Sequence, residues 1–134
     1  MPDTPLGVRH VVTLRIHCPV SPETFAALAA GRGEALETDA SAAPVIAAIR
    51  AAGLGDFGHY TGVMEAALGI EIFTPGAGAR PALGKAGVTS HSSTVILTTW
   101  IDAGAPDLAG KLAAIRAAHP WETPVIELSE ARLV

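Results

Sequence analysis

The chain has 134 residues, with 49% hydrophobic and 16% charged side chains and a mean hydropathy of +0.39; that is one domain's worth of chain, too apolar to be disordered and apolar enough to suggest a buried subunit interface. A net charge of −4 with nine scattered basic residues excludes a nucleic-acid footprint. Cys18, the single cysteine, excludes an intramolecular disulfide and a Cys-rich zinc site, and no uninterrupted apolar run is long enough for a membrane span.

The N-terminal MPDTPLGVRH lacks the basic start and apolar run of a signal peptide, so the expected compartment is the cytoplasm. VRHVVTLRIHCPV (8–20) alternates as a strand, with Val12, Leu14 and Ile16 on one face and Thr13, Arg15 and His17 on the other. Ser21-Pro22 opens a short helix that stops at Gly31. Residues 31–41 read as a loop in which EALE can add a helical turn, and Ser41 is the expected cap of a second helix ending at Gly53. In the Gly-rich segment 53–87, strand-like pieces at 59–66 and 70–74 are expected to pair as a hairpin, followed by a long loop. SSTVILTTWI (92–101) is a strong strand. Asp102 turns the chain into a third helix with Leu108, Leu112 and Ile115 at helical spacing, and His119-Pro120 ends it. TPVIELS (123–129) is the last strand. This order predicts an α+β fold: a ferredoxin-like split βαβ sandwich with an additional β-hairpin and the helices on one face of an antiparallel sheet.

Two stretches resemble known families. HPWETPVIEL (119–128) is similar to the histidine-proline-aromatic-glutamate corner of CutA-like proteins. The segment 53–87 resembles the YqfO-type domain that is inserted in Nif-three-related proteins and also occurs alone; Gly53, Gly55, Gly58, Tyr60, Gly69, Phe73, Pro75, Gly78, Pro81, Gly84 and Gly87 carry the match. The resemblance covers roughly residues 8–18 and 43–128 and implies one domain over 1–134, with residues 21–42 as a family-atypical helical insertion. It departs at His59 (usually asparagine), at Val63-Met64-Glu65, at Glu71 (usually glycine) and along Ser93–Thr99 (usually acidic). Scaffold positions stay while polar ones change, which fits a different ligand and also fits drift.

The candidate residues form three groups. On the polar face of the first strand, His17 is a proton carrier near neutral pH and Arg15 a holder of an enolate or carboxylate; Thr13, Glu65 and Thr98 join them, and the competing reading is a solvated sheet face. His59 and Tyr60 lie in the Gly-rich turn, where His59 with Glu65 or Glu71 is a possible acid/base pair. In the HPWE corner, His119 and Glu122 are read mainly as architecture, with His119 as a cationic helix cap, Trp121 as an anchor and Glu122 as an acceptor of backbone N–H groups. The expected catalytic residues are therefore His17, Arg15, His59, Tyr60 and Glu65. Thr13, Met64, Glu71, Thr98, Trp100 and Trp121 are the expected substrate contacts. No metal is expected; were one held, His59, Glu65 and His119 are the ligands to test. His91 reads as an exposed loop residue and Cys18 as a structural thiol rather than a nucleophile. GLGDFG has G-x-G-x-x-G spacing but follows a helix, which excludes the dinucleotide fingerprint, and PGAGARPALGKAG lacks Walker spacing. The long loop is a possible lid.

The function expected is a cofactor-free acid/base enzyme acting on an apolar carbonyl compound by dehydration, conjugate addition or cyclisation. The alternative is a CutA- or PII-like oligomer that binds a metal or metabolite without catalysis. The expected partners are a small organic ligand and further copies of the chain in a dimer or trimer, with neither nucleic acid nor membrane.

Overall fold

Alternation carried along Arg9–Pro19 makes the first strand, β1, of a four-strand sheet. The computed structural model describes residues 7–134, so the reading of the extreme N-terminus falls largely on residues 1–6, outside the described residues. After β1 come α1 (Pro22–Ala29), a 3₁₀ turn (Gly33–Thr38), α2 (Ala42–Ala51), β2 (Met64–Phe73), β3 (Ser90–Asp102), α3 (Leu108–Ala118) and β4 (Ile126–Leu133). The strands lie in the order β2-β3-β1-β4 and every neighbouring pair is antiparallel. This is the ferredoxin-like arrangement, with the two helical crossovers on one side of the sheet.

One face of the sheet makes the core. Leu14, Ile16 and Cys18 of β1 and Val95, Leu97 and Ile101 of β3 meet Val45, Ile46 and Ile49 of α2 and Ile115 of α3, all buried. Each large side chain so buried contributes about 1.5–3 kcal/mol. Ser21 caps α1 as expected, its hydroxyl accepting the Thr24 N–H at 3.0 Å. Ser41 does not cap α2 through its side chain. Asp39 does that work, its Oδ1 accepting N–H from Ser41 (3.0 Å) and Ala42 (2.9 Å) while its Oδ2 accepts from Ser21 (3.0 Å). One carboxylate thus ties the starts of both helices of the 21–42 segment together.

Three sequence expectations are corrected. The pieces at 59–66 and 70–74 are not a hairpin: the second is part of one strand, β2, and the turn before Met64 is irregular. A tight hairpin turn needs positive φ, and Gly69 is not among the glycines that have it. Gly69 instead lies inside the strand, paired with Thr94, where a Cβ would come within 3.1 Å of Ile96 Cδ1. The final strand begins at Ile126 rather than at residue 123 and runs on to Leu133, because its partner β1 offers backbone as far back as Arg9. His91 is exposed but belongs to β3, not to a loop.

Candidate functional site

The face of the sheet turned away from the helices gathers most of the singled-out residues. Cross-strand partners in an antiparallel pair share a face, so register alone assigns it. Glu65 lies opposite Thr98, Thr98 opposite Arg15, and Arg15 opposite Glu127, one row across all four strands. Thr13 lies between Trp100 and Ser129, and His17 lies opposite Ile96, itself opposite Ala67. Glu71 is on the same face, opposite Ser92. Met64 is on the other face, opposite Thr99 and packed against the core, so it is not a substrate contact on the polar side.

The row does not assemble the expected constellation. Arg15 pairs with Glu127 at 3.7 Å with its side chain half exposed, and two strand spacings of about 4.8 Å separate its backbone from that of Glu65. His59 and Tyr60 are exposed in the Gly-rich turn, Tyr60 at 73%. That turn is tied to the Trp100 end of the sheet by the Gly55 N–H to the Trp100 carbonyl (2.7 Å) and by the Val63 N–H to the Gly55 carbonyl (2.9 Å). Gly55 has φ +71° and a Cβ there would lie 2.2 Å from the Val63 carbonyl oxygen, so the tie requires glycine. The side chain the turn places against the sheet is Phe57, whose ring meets Trp100 edge-on at 6.0 Å. His59 and Tyr60 therefore stand at the end of the face remote from His17 and Glu71.

At that other end the structure builds something the sequence did not announce. His17 Nδ1 lies 3.8 Å from Glu71 Oε1. In a flat sheet their positions, four residues apart along β3, differ by about 13 Å along the strands and two strand spacings across them. Their approach requires the β2–β3 arm to coil over its own open face. On the same face, Ser92 and Thr94 are only 3% and 1% exposed. Glu71 Oε1 is fully buried and has no hydrogen-bond partner.

Beside this pair opens a cleft of about 280 Å³, lined by Glu71, Phe73, Pro75, Leu83, Trp121 and Glu122 among others. The long loop after β2 forms one wall. Its base is closed by the Gly87 N–H to the Pro75 carbonyl (2.8 Å) and by the paired hydroxyls of Thr74 and Thr89 (2.8 Å). The HPWE corner forms another wall. Trp121 packs on Phe73 with ring centroids 5.2 Å apart, and Glu122 Oε1 accepts the Arg80 N–H at 2.8 Å. The anchor and acceptor roles expected of Trp121 and Glu122 are thus what the structure shows.

His119 is not the cationic cap expected. It is buried, its Nε2 donates to the His17 carbonyl at 2.6 Å and its Nδ1 accepts the Trp121 N–H at 3.1 Å, which assigns the neutral tautomer. Burial holds its pKa below the ordinary 6.5, outweighing the hydrogen bond to His17 and the charge of Glu71, which both push upward. Both ring nitrogens are engaged, and the trio His59, Glu65 and His119 is not brought together; among the described residues no three His, Cys, Asp or Glu side chains converge as a metal shell. Cys18 is fully buried and burial, with the charge of Asp39, pushes its thiol up to about 12, so it is no nucleophile.

Among the described residues no helix is long and apolar enough to cross a membrane. No family model and no curated protein sequence matches the chain. Among solved structures it is similar to a Bacillus cereus protein related to NIF3, with a TM-score of 0.62 and 20% identity over 96% of this chain and 27% of that one. The likeness establishes a fold relationship, and the chain spans about a quarter of that protein's length (27%).

Proposed function

We propose that this chain is a YqfO-type, CutA-like domain acting as a cofactor-free acid/base enzyme on a small apolar carbonyl compound, with Glu71 as the group that moves the proton and His17 as its partner. The observation that carries the reading is Glu71 itself. It lines an apolar cleft, and one of its oxygens is buried, has no hydrogen-bond donor and faces His17 Nδ1 at 3.8 Å. A buried carboxylate oxygen without a donor costs about 1–3 kcal/mol or more. His17 stands beside that oxygen without a hydrogen bond to it, and a carboxyl group that lines a cleft is positioned to act on a bound substrate as a general base.

The chemistry balances on one carboxyl group. Glu71 takes the proton from the carbon next to the carbonyl, leaving the enolate. The same carboxyl then returns it either to that carbon, which exchanges hydrogen, or to a β-hydroxyl, which leaves as water and gives the conjugated carbonyl. His17 is not among the cleft-lining residues, so it acts through Glu71 as a positioning residue. Phe73, Pro75, Leu83 and Trp121 supply the apolar surface for the substrate.

The test is hydrogen–deuterium exchange at the α-carbon of phenylacetone in D₂O, followed by proton NMR. The wild type is expected to exchange it faster than buffer does. Glu71→Gln should reduce the enzymatic rate by about 10²-fold or more, and His17→Gln should lower it less while moving the pH profile. Exchange no faster than buffer, or a Glu71→Gln protein as fast as wild type, sinks the reading.

A second reading, a CutA- or PII-like oligomer that binds a metal or metabolite without turnover, draws support from the face that carries Arg15 and Glu65, both exposed while the helices pack on the opposite side. Its mark is a ligand retained through purification by an assembly that catalyses no exchange.

A further inference from the structure

We infer that the cleft beside Glu71 selects a small organic cation, an ammonium group carried on a single aromatic or similarly flat apolar body. The inference rests on the acid/base reading for the site's role and deepens it by naming the charge class of the ligand; a carbonyl compound that carries an amine satisfies both.

The charge of the walls comes first. Two carboxylates, Glu71 and Glu122, line the cleft, and no Lys, Arg or His is among its lining residues. A carboxylate or phosphate ligand entering this space meets like charge with no cation to hold it. The two carboxylates differ in what they still lack. Glu122 Oε1 already accepts the Arg80 N–H at 2.8 Å. Glu71 Oε1 accepts nothing, and 3.8 Å from His17 Nδ1 is beyond hydrogen-bonding reach. That oxygen is itself buried, so a ligand in the cleft does not bond it; an ammonium group instead answers the carboxylate's charge through space at a wall where no Lys, Arg or His competes.

The rest of the lining says what carries the ammonium. Phe73 and Trp121 offer their rings to the space, packed with centroids 5.2 Å apart, and an aromatic face attracts an ammonium within about 6 Å. Pro75, Pro81 and Leu83 add apolar surface to the open cleft. A volume of about 280 Å³ is just below the range of sites for drug-sized ligands, about 300–1,000 Å³, which fits one ring and a short chain. An inorganic cation fits poorly, because the described residues bring no three donor side chains together.

The experiment compares three isosteric probes on the purified protein by isothermal titration and NMR line broadening: phenethylammonium, 2-phenylethanol and phenylacetate. Phenethylammonium is expected to bind about tenfold or more tighter than 2-phenylethanol, with phenylacetate weakest. Glu71→Gln should bring the ammonium down to the affinity of the alcohol and leave the alcohol unchanged, whereas Trp121→Ala should weaken both. Should Glu71→Gln fail to fold, the wild-type ranking of the three probes decides. Equal binding of ammonium and alcohol, tightest binding of phenylacetate, a preference that survives Glu71→Gln, or no binding of any probe overturns the inference. Cation preference without ketone exchange discards the acid/base reading alone; ketone exchange without cation preference discards this inference alone.

Discussion

His119 shows how a single side chain changes meaning with its surroundings. At a helix end an exposed histidine is stabilised as a cation, but here the ring is buried between two backbone groups and serves as a neutral bridge from the corner to β1. Its removal in His119→Ala strips the donor from the His17 carbonyl and the acceptor from the Trp121 N–H, for an expected loss of about 2–4 kcal/mol in urea melts. The pH dependence follows from its lowered pKa. The unfolded chain takes up the proton first, so this contribution is whole above about 6.5, the ordinary value, and is lost as pH falls through that value towards the folded one. Melting temperatures between pH 8 and pH 5 should therefore drop more steeply for the wild type than for His119→Gln; equal slopes would show that the ring does not carry this linkage. Glu71 is the second lesson at this scale. As a departure from glycine in the resembled family it was visible, and it was read as a substrate contact or as an acid/base partner of His59, since nothing local reveals that His17 is its neighbour.

At the level of elements, Asp39 ties the two helix starts of the 21–42 segment to each other. Burial raises the pKa of this carboxyl, but the N–H bonds from Ser21, Ala42 and Ser41 and the Thr24 hydroxyl together outweigh burial and hold it below the ordinary 3.8. Asp39→Ala leaves the start of α2 without its acceptor and the N–H of Ser21 unpaired, and is expected to cost about 2–3 kcal/mol, measured by chemical denaturation; a loss no larger than that of Ser41→Ala would move the capping role back to Ser41. The stabilisation is present above about pH 3.8 and disappears as pH falls through the lower folded value. Sequence rules chose Ser41 because it stands directly before the helix, and they placed Ser21 correctly because its partner Thr24 lies within the same turn. The same locality misread β2. Gly69 looked like a turn, and dividing the strand there hid that Glu65 and Glu71 share one face of a continuous strand.

For the molecule as a whole, the exposed apolar side chains collect where the β2–β3 arm extends. Ile70 and Ile72, each 64% exposed, and Leu68 at 42% stand along β2, a strand at the edge of the sheet. An apolar edge strand left uncovered invites pairing with another chain. We propose that copies of this chain assemble through it, and light scattering should give a dimer or trimer that Ile70→Lys with Ile72→Lys converts to monomer. A wild type that is monomeric at micromolar concentration would discard this.

The places of the helices, the first and last two strands, the side of β1 that faces the core, and the membership of Thr13, Arg15, His17 and Thr98 in one polar face followed from the chain alone, because period-two alternation and helix punctuation are local properties. Which of those residues meet was decided only by tertiary structure. Register set Arg15 beside Glu127, the tie at Gly55 carried His59 and Tyr60 to the remote end, and the coiling of the β2–β3 arm brought Glu71 to His17. Each of these depends on how distant strands slide and bend against one another, and no periodicity within a single segment records that.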